Sequence, residues 1–377
     1  MTLRIALIIP TMDRGGAEKQ LSLLARHLPR DRFDVHVILL TREGPRSQEL
    51  RDAGIPVTVI GKRFKVDPSA LFRLRREIQK IAPDVVHTWI FAANSFGRVA
   101  ARMAGVKRII ASERCVDPWK TTAHFMIDRR LANFTEAITT NSTCVRDFYA
   151  GHGIDPELFR IIPNGIEPRC VAEIDREEAF GRLEVHANRK LILAVGRLWP
   201  QKRYRDLIWA AELLASMRTD TTLVILGDGP QRGELLRHRD AVTTPDHVRF
   251  AGSRDDVAQL LPHADAFWIG SEYEGQSNSV IEAMQAGVPV IASDIAANRD
   301  LVVHEQTGRL VPLGDRADFA RQTHDLLENP EVSEQLAATA RERIATEFTV
   351  QAMTDKHADL YENGPILPAK SDKQFRS

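Results

Sequence analysis

Long hydrophobic runs are missing from this 377-residue chain. None reaches the roughly 18–20 apolar residues that cross a bilayer, so no membrane span is expected. The opening run LRIALIIP stops at Pro10 and has no small-residue cleavage site after it. It reads as a buried strand rather than a signal peptide. Cysteine is scarce: Cys115, Cys144 and Cys170 are odd in number and lack metal-ligand spacing. That excludes a disulfide framework or a zinc site and points to a reducing, cytoplasmic setting. The sequons at Asn133 and Asn141 then carry no weight. Net charge is zero, which argues against nucleic-acid binding. The nicotinamide glycine fingerprint is lacking after the first strand, which argues against a dehydrogenase. No short internal repeat is visible.

What is present is an ordinary globular composition, 43% hydrophobic and 27% charged. The zero net charge hides an asymmetry. Residues 1–170 hold 27 Lys and Arg against 18 Asp and Glu, a balance of +9, which leaves −9 for the remainder. Short apolar runs alternate with longer amphipathic ones, the pattern of a parallel sheet covered by helices. The strand candidates are IALIIP, VHVILL, VTVIG, VVHTW, RIIAS and AITTN, with helices over Glu18 to His27 and Pro68 to Ile81. The pattern restarts with LILAVG, TLVILG, VRFAG, AFWIG and PVIAS. We therefore expect an α/β chain of two Rossmann-like domains, 1–168 and 169–347, with a linker near residues 168–178. A helical tail follows from about Phe348, and the closing PILPAKSDKQFRS looks frayed.

Four loops carry the candidate chemistry. In SEYEGQSNSVIEAMQAGVPVIASD, from Ser271, a strand and a polar loop lead into a helix N-terminus. Gly275 allows the turn, Ser277 or Asn278 caps the helix, and Gly287 ends it. Unpaired backbone amides around Ser277, Asn278 and Ser279 suit an anion. Glu274 before the helix and Glu282 within it suit sugar and ribose hydroxyls. Taken singly, each glutamate is a solvated turn or helix residue. In GRLWPQK, a buried strand ends at Gly196, and Arg197 and Lys202 follow as candidate diphosphate ligands. A basic surface loop is the plain alternative. Gly227 in TLVILGDGPQRG, and Gly252 after the next strand, line the expected nucleotide pocket. In PTMDRGGAEKQ, Gly15 and Gly16 offer bare amides between strand and helix, and a structural tight turn is the alternative there.

These residues make the chain recognisable. GGAEK, PDVVH, IIPNGIE, GRLWPQK, GDGP and EGQSNSVIEAM stand in order from residue 15 to residue 284. The chain resembles the large sucrose-synthase-like family of retaining glycosyltransferases with the GT-B fold, the glycosyl transferases group 1. The resemblance implies two sheets facing across a cleft, the first domain on the acceptor side and the second binding the nucleotide-sugar donor, and a C-terminal helix, about 348–377, packing back on the first domain. It implies a hexose or N-acetylhexosamine transferred from a nucleotide diphosphate sugar, UDP- ahead of GDP-, with retention. Arg197 and Lys202 would neutralise the diphosphate, Glu282 would hold the ribose, and Glu274 would contact the sugar. No cofactor is expected. No Asp is followed two residues later by another, so the metal-carboxylate motif is absent and metal-independent transfer is expected.

One departure concerns the first domain. Family members often carry a catalytic His after the strand that here reads RIIAS, where this chain has SERCVD. His87 and Glu113 become the catalytic candidates there, with a satisfied structural His as the alternative. Arg114 stands beside them. The segment KRFKVDPSALFRLRREIQK, with Phe64, Leu71, Phe72, Leu74 and Ile78, reads as a basic amphipathic surface. That favours a lipid-linked glycan acceptor and peripheral contact with anionic membrane at the inner face, as in envelope polysaccharide assembly. An ordinary core-facing helix is the alternative. Rival functions are a nucleotide-sugar epimerase of the same fold and a non-catalytic nucleotide-sugar-binding protein.

Overall fold

The computed structural model describes residues 2–168, 170 and 172–365. The last helix ends at Asn363, where Gly364 takes a left-handed backbone (φ +72), short of the expected residue 377; nearly all of the expected frayed ending lies outside the described residues. Contacts divide the chain into two compact units. The first takes the residues up to Gly165 and those from Val350 onward; the second takes Ile166–Thr349.

The first unit opens with β1 (Leu3–Ile9), α1 (Gly16–His27), β2 (Phe33–Leu39), α2 (Arg46–Asp52) and β3 (Val57–Val59). It continues with α3 (Pro68–Ile81), β4 (Val85–Trp89), α4 (Ile90–Ala104) and β5 (Arg108–Glu113). It then runs through α5 (Thr122–Ala132), β6 (Ala137–Thr140), α6 (Thr143–Gly151) and β7 (Phe159–Ile161). Its seven strands pair in the order β3-β2-β1-β4-β5-β6-β7, and every pairing is parallel. Ile5 to Ile9 are fully buried because helices cover both faces, which is why the strand reads as an unbroken apolar run.

The second unit contains α7 (Arg176–Leu183), β8 (Lys190–Val195), α8 (Tyr204–Met217), β9 (Thr221–Leu226) and α9 (Arg232–Val242). Next come β10 (Val248–Gly252), α10 (Val257–Leu260), β11 (Ala266–Ile269), α11 (Asn278–Gln285) and β12 (Val290–Ser293). It ends with α12 (Ala296–Arg299), β13 (Arg309–Val311), α13 (Arg316–Glu328) and α14 (Pro330–Glu347). The parallel order is β10-β9-β8-β11-β12-β13. The chain enters and leaves this unit side by side, because the Ile166 amide donates to the Phe348 carbonyl at 2.9 Å.

The final helix, α15 (Val350–Asn363), belongs to the first core. Val350, Met353, Ala358, Leu360 and Tyr361 pack with β1 and α1 residues. On the other sheet face, α3 starts from a full cap, as Asp67 accepts from the Ala70 amide at 2.9 Å ahead of Pro68. The apolar residues of α3 and of the segment before it divide. Leu74 and Ile78 are core, whereas Phe64 and Val66, ahead of the helix, and Phe72, within it, stand 70%, 81% and 58% exposed. Among the described residues no helix is long and apolar enough to cross a membrane.

Candidate functional site

In the second sheet, β8 lies between β9 and β11, so successive connections leave it in opposite directions. The C-terminal ends of β8 and β11 flank that reversal, the position where open α/β sheets bind ligands. The loop after β8 carries Arg197 and Lys202, and the loop after β11 carries Glu274. They meet: Lys202 Nζ pairs with Glu274 Oε1 at 2.5 Å. Ser271 Oγ donates to the same oxygen at 2.7 Å. The Glu272 amide donates to the Gln201 carbonyl at 2.8 Å, joining the two loops through the backbone as well. Ser293 at the end of β12 steadies them, donating to the Ser271 carbonyl at 2.6 Å, while Asn298 holds Ser293 at 2.8 Å.

Tyr204 is buried two residues past Lys202. Burial and the nearby Glu274 carboxylate push its hydroxyl up, so it remains a neutral phenol. A Cβ on Gly196 would sit 3.0 Å from the Tyr204 hydroxyl and 3.4 Å from Lys202 Cε. The glycine thus makes room for both side chains. Arg203, between them, has a left-handed backbone (φ +51), the kind of strain that accumulates at functional loops. Arg197 is exposed, and its guanidinium makes no hydrogen bond or ion pair among the described residues.

Ser277 takes the N-cap position of α11, but its hydroxyl pairs with Ser279 Oγ at 3.1 Å instead of closing the expected side-chain cap. Asn278 opens the helix, and Glu282 is half-buried one turn in. Gly275 is buried in the loop before it. Gly227 and Gly229 have a packing reason of their own. A Cβ on Gly227 (φ +146) would lie 2.0 Å from the Gly196 carbonyl oxygen, and one on Gly229 would lie 2.6 Å from that of Leu198. The Gly227 amide donates to the Gly252 carbonyl at 2.7 Å, so three strand-end loops are zipped together by backbone.

In the first unit, Gly15 is the N-cap of α1 with extended backbone, and Gly16 is its first residue. His87 does not face a site. It is fully buried in β4, with Nδ1 on the Tyr361 hydroxyl at 2.7 Å and Nε2 on Thr139 at 3.2 Å. Burial holds its pKa well below the ordinary value. This is a satisfied core histidine; a strand-end position alone does not reveal that both sheet faces are covered.

Glu113 is also internal. Asn94 donates to Oε1 at 2.9 Å, Tyr149 lies 3.0 Å from Oε2, and Lys120 lies 3.6 Å away. The Tyr149 hydroxyl reaches Asp117 as well at 2.8 Å, yet it has one hydrogen to donate. Burial raises the Glu113 carboxyl, against the opposing pull of the Lys120 ammonium. Asp128 completes it, bonded to Lys120 at 3.0 Å and to Arg98 at 3.1 Å. Arg114 lies over Trp89, 4.9 Å from its centroid, and donates to Asn164. The region that the sequence offers as catalytic is therefore a buried charge network bracing the β5 loop. The residues missed from sequence are Tyr204 and Ser271, whose only signal is closeness to Lys202 and Glu274, and Ser293 and Asn298, which give none.

Comparison with known proteins covers both units. The model of Glycosyltransferase Family 4 matches residues 14–169, and that of Glycosyl transferases group 1 matches residues 175–343. A curated Escherichia coli protein, UDP-Gal:alpha-D-GlcNAc-diphosphoundecaprenol alpha-1,3-galactosyltransferase, is 27% identical over 89% of this chain and 90% of its own length. The Rhizobium meliloti lipopolysaccharide core biosynthesis glycosyltransferase LpsD is 26% identical over 78% of this chain and 79% of its own. Among solved structures, Anabaena HepE in complex with UDP and glucose superposes with a TM-score of 0.86. At 22% identity over 96% of this chain and all of the other, that likeness speaks for the fold.

Proposed function

The chain belongs to the glycosyl transferases group 1, with a GT-B fold, and from that premise we propose that it moves a hexose or N-acetylhexosamine from a UDP-sugar to a lipid-linked glycan. The setting is envelope polysaccharide or glycolipid synthesis; the R. meliloti relative is named for lipopolysaccharide core biosynthesis, and the E. coli relative for transfer to a diphosphoundecaprenol-linked sugar. The observation that carries this reading is the Lys202–Glu274 pair, with an exposed Arg197 on the Lys202 loop, at the strand ends where the second sheet reverses direction.

Breaking the anomeric C–O bond builds negative charge on the leaving diphosphate and positive charge on the sugar ring. Lys202 and Arg197, with the backbone amides opening α11, stabilise the first. Glu274 is held against Lys202 and takes sugar hydroxyls, and Glu282 takes the ribose. With cationic side chains in that role, transfer proceeds without a divalent metal and with the anomeric configuration retained. EDTA leaves the rate unchanged, and NMR of the product shows the donor's configuration. Loss of activity in chelator, or inversion, overturns those two features.

Thermal unfolding in EDTA with UDP, GDP and ADP tests the donor. Saturation at about 100 times Kd adds about 2.7 kcal/mol of stability. The expected result is a shift with UDP that Glu282→Ala weakens; no shift with any of them refutes the donor site. The acceptor side is supported by Phe64, Val66 and Phe72, which are exposed among Arg63, Lys65, Arg75 and Arg76. Flotation with phosphatidylglycerol vesicles is expected to show salt-sensitive binding that Phe64→Ala combined with Phe72→Ala removes. Absence of binding by the parent chain removes the membrane contact.

A further inference from the structure

A second feature of the first unit is aromatic and exposed. Trp119, on the loop between β5 and α5, is 55% exposed, yet it is held in place. Its Nε1–H donates to Asp117 Oδ1 at 3.0 Å. Its ring centroid lies 5.4 Å from Phe91 and 5.5 Å from His124, both at steep T-shaped angles, and those two rings are 5.0 Å apart. Phe91 follows Ile90, whose φ of +59 is a strained backbone for a β-branched residue. Beneath Phe91, the buried Lys120 ammonium sits 4.7 Å from the ring centroid. The cluster joins the first turn of α4, which follows β4 directly, to the loop after β5 and the first turn of α5, beside the reversal of the first sheet between β1 and β4.

Polar groups complete it. The Thr121 amide donates to His124 Nδ1 at 3.0 Å, which leaves the neutral ring's hydrogen on Nε2. That nitrogen has no partner among the described residues. The Asp117 side chain is 20% exposed. A flat apolar face, one acceptor and one donor within a single cluster suit a pyranose. Its C–H face stacks on an indole while its hydroxyls both donate and accept. A lipid tail uses neither polar group, and Asp117 repels a phosphate.

We infer that Trp119, Phe91 and His124 form a platform that binds a pyranose ring of the acceptor glycan, with Asp117 and His124 Nε2 taking its hydroxyls. This rests on the transferase reading, in which the first unit takes the acceptor.

Saturation-transfer NMR with the methyl α-glycosides of glucose, galactose and N-acetylglucosamine tests it on the whole chain, beside Trp119→Ala and Trp119→Phe. At least one glycoside is expected to bind the parent chain. Trp119→Ala is expected to weaken it about tenfold, and Trp119→Phe to recover most of the loss. The UDP-induced thermal shift stays the same in all three proteins. No glycoside bound by the parent chain, or equal binding by Trp119→Ala, overturns the platform. So does a Trp119→Ala variant that loses phosphatidylglycerol vesicles while keeping the glycoside. A missing UDP shift in the parent chain instead refutes the donor site, and the glycoside result is read independently of it.

Discussion

Lys202 carries two obligations, since its ammonium neutralises Glu274 and also stands ready for a donor's diphosphate. Lys202→Ala removes an ionic partner of a nearly buried carboxylate, so the loss exceeds that of one phosphate contact. UDP affinity measured by calorimetry is expected to fall about 10- to 100-fold. Glu274→Gln, which keeps the shape and the Ser271 bond, is expected to spare UDP binding and lower kcat. Histidine sets the pH response of the fold. His357 is buried, and burial lowers its pKa from 6.5 to about 3. The unfolded chain therefore binds the extra proton between those values. Stability is complete above about pH 6.5 and declines as pH falls toward 3, by about 1.4 kcal/mol per unit for this one group. Urea unfolding at pH 5 and pH 7 measures the difference, and His357→Gln reduces it. At this scale the placing of Lys202, Glu274 and Arg197 in the loops after two strand ends was legible, because order and spacing around a strand end leave a pattern in the sequence. The burial of His87 and Glu113 was not legible, since burial on both sides of a sheet leaves no mark on the residue itself.

The elements of the second sheet meet through backbone at their C-terminal ends, and glycine makes this approach feasible. Gly227→Ala forces a Cβ to 2.0 Å from the Gly196 carbonyl and a side chain into φ +146. The expected cost is about 2–3 kcal/mol, read in thermal unfolding, together with weaker UDP binding because the Lys202 loop moves. Gly181→Ala is the control, being a helical glycine with open space around it. Most strands were legible as unbroken β-branched and aliphatic runs, and the helix over Pro68–Ile81 was legible as an amphipathic stretch. The short β13 was not, because Arg309, Leu310 and Val311 are too few to show a period. The glycines of GDGP were legible as a loop, but their reason was not: the contact that excludes a side chain lies on another strand.

At the scale of the whole molecule, each unit has its own sheet and its own core, and the first is discontinuous in sequence. A chain ending at Thr349 loses Met353, Leu360 and Tyr361 from the first core, and with Tyr361 the hydroxyl on which His87 rests. Calorimetry of that truncation is expected to retain the unfolding transition of the second unit and lose that of the first. The two sheets were legible in the restart of the strand–helix pattern at Leu191. The return of the last helix to the first core came from the family resemblance, because an amphipathic helix does not announce which core it joins. This discontinuity also bears on how the protein is made. The second unit is contiguous, so all of it is synthesised before α15 exists. At about 5–20 residues per second, that interval lasts roughly 10–40 seconds. During it the first unit presents the uncovered apolar surface that α15 later occupies, so its N-terminal half stays incomplete while its C-terminal half already has every residue of its core.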